Sequence, residues 1–381
     1  KRILWNTFNF GGNNTTDPSQ FNVNVASFNT LLGKSYGEIA AESRSQHKSQ
    51  GFGSAATRGD SYEYFKTTGG NAPRNELLDD VDISWNRTGK NGAAILNLIK
   101  DIENKFDPVA IEKSVPALVR LYKLLNNNND EPWFNKKKQE VQKLIAQCSS
   151  LYMDAYTNQS FAVQTGDVSI NMVLNNRLGV DAAIKSVSIE NTTEAVNKKL
   201  EKNKNFSFDK KIAVPLTKEV TQPYWLNERK EEGLFFVADQ RMIGVPDVRP
   251  AYTTKFLINI LGQDFVFEKQ VQYKHTDPVK GEIYQPLIVV PPATITASPN
   301  LLVFNRTGQR TQRVQTQLHA FGDIEGNITA GLTGIDYSGV QHNALKLSNG
   351  KTAYFNFEVT EKHAPEELYT LTAYANKKMA N

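Results

Sequence analysis

Val168-Ser-Ile-Asn-Met-Val-Leu174 alternates apolar and polar residues with a period of two. That spacing puts successive side chains on opposite faces of a strand, so one face is apolar and the other wet. Ala183-Ile-Lys-Ser-Val-Ser-Ile189 repeats the pattern, and further short runs follow at Phe206-Ser-Phe208, Ile212-Ala-Val214, Leu234-Phe-Phe-Val237, Thr253 to Ile260, Phe265-Val-Phe267 and Lys269 to Tyr273. Seven or more such runs separated by turn residues predict an Ig-like β-sandwich over residues 159–290. A proline-rich stretch, Pro286 to Pro299, opens a second and shorter β module over 291–381. Its expected strands are Asn300 to Phe304, Arg313 to Leu318, Gly326 to Thr329, Tyr354 to Val359 and Leu368 to Tyr374, with Asn349-Gly350 as a hairpin turn.

Upstream of Asn158 the period changes. Ile95, Leu98, Ile99, Ile102 and Phe106 recur at three and four, as do Val115, Leu118, Val119, Tyr122 and Leu125. A third stripe runs Phe134, Val141, Leu144, Ile145, Cys148, Leu151, Tyr152, Ala155. Stripes of this spacing are packing faces. Asp107-Pro108 and Asn126 to Asp130 separate them, and Pro132 suits a first helical turn. A three-helix bundle over 93–158 is the expectation.

The first 92 residues differ again. Arg2 to Asn6 and Phe21 to Val25 read as strands, Asn9 to Gln20 as a polar loop, and Phe52 to Gly92 as a loop-rich connector. Between them Ser35-x-x-Glu38 has the form of a capping box, in which each side chain bonds the other's backbone N–H. The helix it starts is expected to run from about Leu32 to Gln50, with Ala40, Ser43 and His47 on one face, before Gly51 and Gly53 stop it. This β–loop–β–α order suits the end of an α/β sheet. The chain as a whole therefore reads as multi-domain α+β.

Composition narrows the function classes. A net charge of +4 over 381 residues is too mild for a nucleic-acid footprint. The basic run Lys198 to Lys211 alternates with Asn and Phe, as a solvated hairpin does. No apolar run approaches the ~18 residues of a membrane span. Cys148 is the only cysteine, so internal disulfides are excluded. Asp79, Asp80 and Asp82 lack the glycine and terminal glutamate of a calcium loop. Asp277 to Glu282 reads as an inter-strand turn. Tyr224, Trp225, Tyr252, Tyr273 and Tyr284 are candidates for an aromatic platform under a sugar ring.

One stretch carries a resemblance. Ser43-Arg-Ser-Gln-His-Lys-Ser-Gln-Gly-Phe-Gly53, running on to Thr57-Arg58-Gly59, resembles the His-x-Ser-Gln segment late in the PIG-L/LmbE-type N-deacetylases, in the long multi-domain form found in Bacteroidota. Ile83-Ser-Trp-Asn-Arg87, Pro223-Tyr-Trp-Leu226 and Tyr273 to Pro286 extend the likeness, from about Lys1 to Pro286. Short members carry a lysine seven residues before the histidine, where this chain has Ala40. The resemblance implies a Rossmann-like tail over residues 1–92 and hydrolysis of an N-acetyl group on a glycan or glycoconjugate. It implies zinc as cofactor and an exported, periplasmic or cell-surface location. His47 would line the substrate cleft and hold the carbonyl or tetrahedral intermediate, with Arg44, Ser49 and Gln50 shaping that wall. The family's zinc comes from a His-Pro-Asp-Asp-Glu turn and a His-x-x-His element, and neither occurs here; the histidines are His47, His275, His319, His342 and His363. The expectation is the downstream portion of such an enzyme, partnered by an upstream catalytic domain. The alternative is a non-catalytic β-sandwich scaffold that binds glycan or protein.

Overall fold

A computed structural model describes residues 2–88, 91–126, 132–245, 248–304, 311–334, 337–360 and 372–377. They divide into two units, 1–96 and 97–381.

In the first unit β1 (Ile3–Thr7) and β2 (Phe21–Asn24) flank β3 (Tyr62–Gly69) in an antiparallel sheet of order β1-β3-β2. The expected connector thus supplies the central strand. Tyr62-Glu-Tyr-Phe-Lys-Thr-Thr-Gly69 is rich in residues that fit a pleated, half-buried surface. The two expected flanking strands are present, but every pairing in this sheet is antiparallel. α1 runs Tyr36–Arg44, opened by the full capping box: Glu38 N–H donates to Ser35 Oγ at 3.2 Å and Ser35 N–H to Glu38 Oε2 at 2.9 Å. It is shorter than the expected helix and buries Ala41, whereas Ala40 and Ser43 are exposed. Gly37 lets it lie against the chain at Thr57, where an added Cβ would stand 3.0 Å from the carbonyl oxygen.

α2 (Gly92–Asn104) leads from the first unit to the second. α3 (Val115–Asn126) and α4 (Pro132–Cys148) pack together, burying Leu118, Val119, Leu121 and Leu125 on one and Phe134, Val141 and Ile145 on the other. α4 stops earlier than its stripe suggests. Ser150 takes φ +50, and β4 (Leu151–Thr157) begins at once. The helical pair is fastened to the β layers: the ring of Tyr122 meets Phe265 edge-on at 4.8 Å, and Gln142 Nε2 donates to the Val266 carbonyl at 2.6 Å.

The β layers form a sandwich. β4, β6 (Asp167–Asn176), β9 (Asn205–Ala213), β12 (Gln272–Asp277) and β13 (Gly281–Pro286) make one sheet of order β9-β6-β4-β12-β13. β7 (Ala182–Ile189), β8 (Thr192–Lys199), β10 (Thr253–Ile260) and β11 (Gln263–Gln270) make the other, of order β8-β7-β10-β11. Ile170, Met172, Leu174, Phe256, Ile258 and Ile260 have no exposed surface. A bulge in β7 between Ile184 and Ser186 shifts the buried positions from Ala182 and Ile184 to Val187 and Ile189, because one extra residue exchanges the faces. The basic run 198–211 is not a hairpin, since β8 and β9 belong to different sheets. Leu234 to Val237, expected as a strand, lies in loop.

β5 (Phe161–Val163) and β14 (Ile288–Val290) pair in parallel and lead into a second sandwich. Its sheets are β15-β16-β19 (Ala293–Ser298, Thr311–Ala320, Thr352–Thr360) and β18-β17-β20 (Tyr337–Leu347, Ile324–Gly334, Thr372–Lys377). Phe355, Phe357, Val314, Leu318, Ile328 and Leu332 fill its core. The turn at Asn349-Gly350 is present, with Gly350 at φ +77, but it joins strands of opposite sheets. Residues 300–304 are not a strand, and the expected run 368–374 falls partly outside the described residues. Among the described residues no helix is long and apolar enough to cross a membrane, which says nothing of a β-barrel.

Candidate functional site

The segment with the deacetylase resemblance, residues 43–59, lies on the surface, with only Ser45 half-buried. α1 ends at Arg44, and His47 opens a separate 3₁₀ turn, Lys48–Gln50, closed by Gly51 at φ +69. His47 therefore does not share a helix face with Ala40 and Ser43. Its Nδ1 lies 2.9 Å from Gln50 Oε1, and its ring meets Phe52 edge-on at 6.4 Å. Arg44 lies over the Phe52 ring, its guanidinium carbon 5.4 Å from the centroid. With the amide oxygen facing the ring, Nδ1 donates and Nε2 keeps the lone pair for an outside group. Arg44, His47 and Gln50 thus converge around Phe52; Ser49 is exposed beside them. The loop after them is tied back to α1 by Arg58–Glu38 at 2.9 Å and by Ser54 N–H donating to Ser45 Oγ at 3.2 Å.

The aspartates at 79, 80 and 82 serve separate local roles. Asp79 accepts from the Arg74 and Asn75 N–H groups, Asp80 pairs with Arg2 at 3.5 Å, and Asp82 accepts from Ser84. Among the described residues no three His, Cys, Asp or Glu side chains converge as metal ligands. The described residues therefore offer no set for a catalytic zinc ion, which takes three protein donors.

The aromatic candidates do not form one platform. Tyr252 is buried under Lys218, whose ammonium sits 4.3 Å above its ring. Tyr273 stacks on His275 at 4.8 Å. Tyr284 joins a cluster that the sequence did not reveal, on the sheet face opposite the core. There Lys274 lies between the rings of Tyr156 and Tyr284, at 4.5 and 4.9 Å, and pairs with Glu282 at 2.9 Å and Asp154 at 3.4 Å. The Tyr284 hydroxyl is 3.0 Å from Asp154 and 2.8 Å from Glu282 and donates to one at a time. Burial works against the Lys274 cation, but its bonds to Glu282 and Tyr284 and the Asp154 charge outweigh that and hold its pKa above the ordinary lysine range. The Lys274 and Tyr284 bonds draw Glu282 below the usual carboxylate range.

Tyr224 and Trp225 meet edge-on, centroids 4.9 Å apart, in the long connection between β9 and β10. That connection encloses a cavity of about 600 Å³. The Asp277 to Glu282 stretch is the expected turn, Asp277 Oδ1 accepting from the Val279 and Lys280 N–H groups at 2.8 and 2.7 Å.

A β-sandwich protein with a docked helical pair is what the second unit's fold defines. No family model matches the chain, and no curated protein matches it. Among solved structures it is similar to red sea bream transglutaminase, at 9% identity and a TM-score of 0.29, over 65% of this chain and 32% of that one. The chain thus spans about a third of that enzyme's length. It is also similar to a protein of unknown function from Porphyromonas gingivalis W83, at 11% identity and a TM-score of 0.17, over 55% of this chain and 83% of that one. Both scores fall short of a shared fold, and neither neighbour's activity bears on this chain.

Proposed function

We propose that this chain is the downstream, substrate-facing portion of a metal-dependent N-deacetylase acting on N-acetylated sugars or glycoconjugates. The observation that carries the reading is the grouping of Arg44, His47 and Gln50 around Phe52, within the segment that bears the family resemblance. His47 is held by Gln50 through Nδ1, which leaves Nε2 to accept from a substrate hydroxyl or amide N–H. Phe52 offers an apolar edge, and Arg44 supplies a fixed positive charge beside it. These groups bind and orient an acetamido sugar. The zinc that such hydrolysis uses would be held by residues outside this chain, in the upstream catalytic domain. In this reading residues 1–92 are the end of an α/β domain, the sandwiches are Ig-like accessory modules, and the protein acts in the periplasm or at the cell surface.

The test is acetate release from N-acetylglucosamine oligomers by the intact, zinc-loaded native protein. Measurable release supports the reading. No release from any acetylated substrate by protein of verified zinc content overturns it. A second reading, a non-catalytic glycan-binding scaffold, is favoured by the cavity on the first sandwich, which lies apart in sequence from residues 44–50.

A further inference from the structure

We infer that the connection between β9 and β10 is a saccharide-binding site for an uncharged sugar, independent of the His47 surface. All the residues that line its cavity fall between Thr217 and Ala251, so a single connection builds it. A connection this long is uncommon in a compact domain and is usually either a functional loop or a linker. Its volume of about 600 Å³ lies within the ordinary span of small-molecule sites.

The connection is anchored at both ends. The buried amide of Gln164 donates to the Leu216 and Lys218 carbonyls at 3.0 and 2.6 Å, and Thr221 exchanges two bonds with Val289, each 3.0 Å. At the far end Ala251 and Tyr252 are buried in the sandwich. The middle is then shaped locally. Gln222 donates to Asn227 at 2.9 Å around the 3₁₀ turn Tyr224–Leu226. Asp239 caps the turn Gln240–Met242 and takes a two-pronged contact from Arg241 at 2.9 and 3.0 Å. These contacts shape two turns of the cavity wall.

The charges decide the ligand class. Lys218 is engaged by Glu190 at 2.8 Å and by the Tyr252 ring, and Arg249 faces Asp239 at 3.8 Å and Met242 Sδ at 3.0 Å. Lys218 is thus engaged within the protein, whereas Arg249 shares Asp239 with Arg241 and its side chain is 69% exposed. Among the described residues Glu219 and Glu228 have no cationic partner, so two carboxylates remain as acceptors. An anionic ligand would meet two such carboxylates against the single exposed cation of Arg249. A polyhydroxylated neutral ligand suits them, because hydroxyls donate short, strong bonds to carboxylates. Tyr224 and Phe236 add ring surface against which the apolar C–H face of a sugar packs.

The test is calorimetric titration of the 381-residue chain with chitotriose, cellotriose, mannotriose and maltotriose, and with trigalacturonate as the acidic comparison. At least one neutral trisaccharide should bind saturably, and trigalacturonate at least tenfold more weakly. Tyr224→Ala should weaken the neutral ligand tenfold or more. Glu228→Gln, an exposed change that keeps shape, should weaken it severalfold with the unfolding midpoint unchanged. Absence of binding by all four neutral sugars at millimolar concentration overturns the assignment. So does tighter binding of trigalacturonate, or equal affinity in both variants. Because no acetyl chemistry is read, this result is separate from the deacetylase test.

Discussion

Lys274 Nζ lies 3.4 Å from Asp154 Oδ2, across the parallel pairing of β12 with β4. That pairing consists of Gln272 opposite Tyr156 and Tyr273 opposite Thr157. The hairpin β12–β13 thus relies on side chains to hold its place. Asp154 and Lys274 are 14% and 19% exposed, buried enough that removing one charge strands the other. Lys274→Met should cost about 2 kcal/mol, less than a fully buried pair because some water reaches it. Adding Asp154→Leu to that variant should restore part of the loss, since the two sites are in contact and not additive. Urea unfolding of the single and double variants measures the coupling.

The same cluster has a pH signature. Glu282 titrates below its ordinary value of 4.5 in the folded protein, chiefly through its bond to Lys274. A carboxyl depressed on folding adds stability above its unfolded pKa and loses it as pH falls through the folded one. Lys274, raised above its ordinary 10.5, adds stability that persists below that value and is lost only at higher pH. The stability gap between the parent chain and Glu282→Gln should be level from pH 6 to 9 and close below pH 4.5. A gap that widens in acid contradicts this.

In the first unit the capping box sets the start of α1. Ser35→Ala removes the acceptor for the Glu38 N–H and should destabilise the helix by about 1 kcal/mol. Hydrogen exchange of the α1 amides reads this directly, with faster exchange in the first turn expected.

Large apolar residues divide sharply by location. Met172 has no exposed surface, so Met172→Ala should cost about 2–5 kcal/mol through lost contacts and the cavity left behind. Leu234, 60% exposed in the β9–β10 connection, should change stability by less than about 0.5 kcal/mol when made Ala. Thermal unfolding of both variants checks the contrast.

Much of this architecture is legible from period alone. The apolar alternation of β6 and the stripes of α3 and α4 are visible in sequence because one face of each is buried. Three readings fail for physical reasons. The α4 stripe continues through Leu151, Tyr152 and Ala155, yet Ser150 breaks the helix and the same residues serve a strand. β3 hides among loop residues, because its pairing partners β1 and β2 lie far away in sequence. The capping box marks where α1 begins, but nothing local marks its end at Arg44, so spacing alone extends the helix face to His47, which lies beyond it.

The sites are less legible. Lys274 and Asp154 are brought together by strand pairing across 120 positions, a distance that no motif spans. The β9–β10 cavity has no periodic signal, and its Leu234 to Val237 run imitates a strand. The fold scatters the aromatic candidates, with Tyr252 in the core and Tyr273 against His275.

The most direct test of the deacetylase reading is a comparison of His47→Ala with the parent in the intact protein, measuring zinc content and acetate release together. The account predicts at least a tenfold fall in acetate release with zinc content unchanged, because His47 meets the substrate and the metal is held elsewhere. Unchanged turnover, or loss of zinc along with activity, would contradict it.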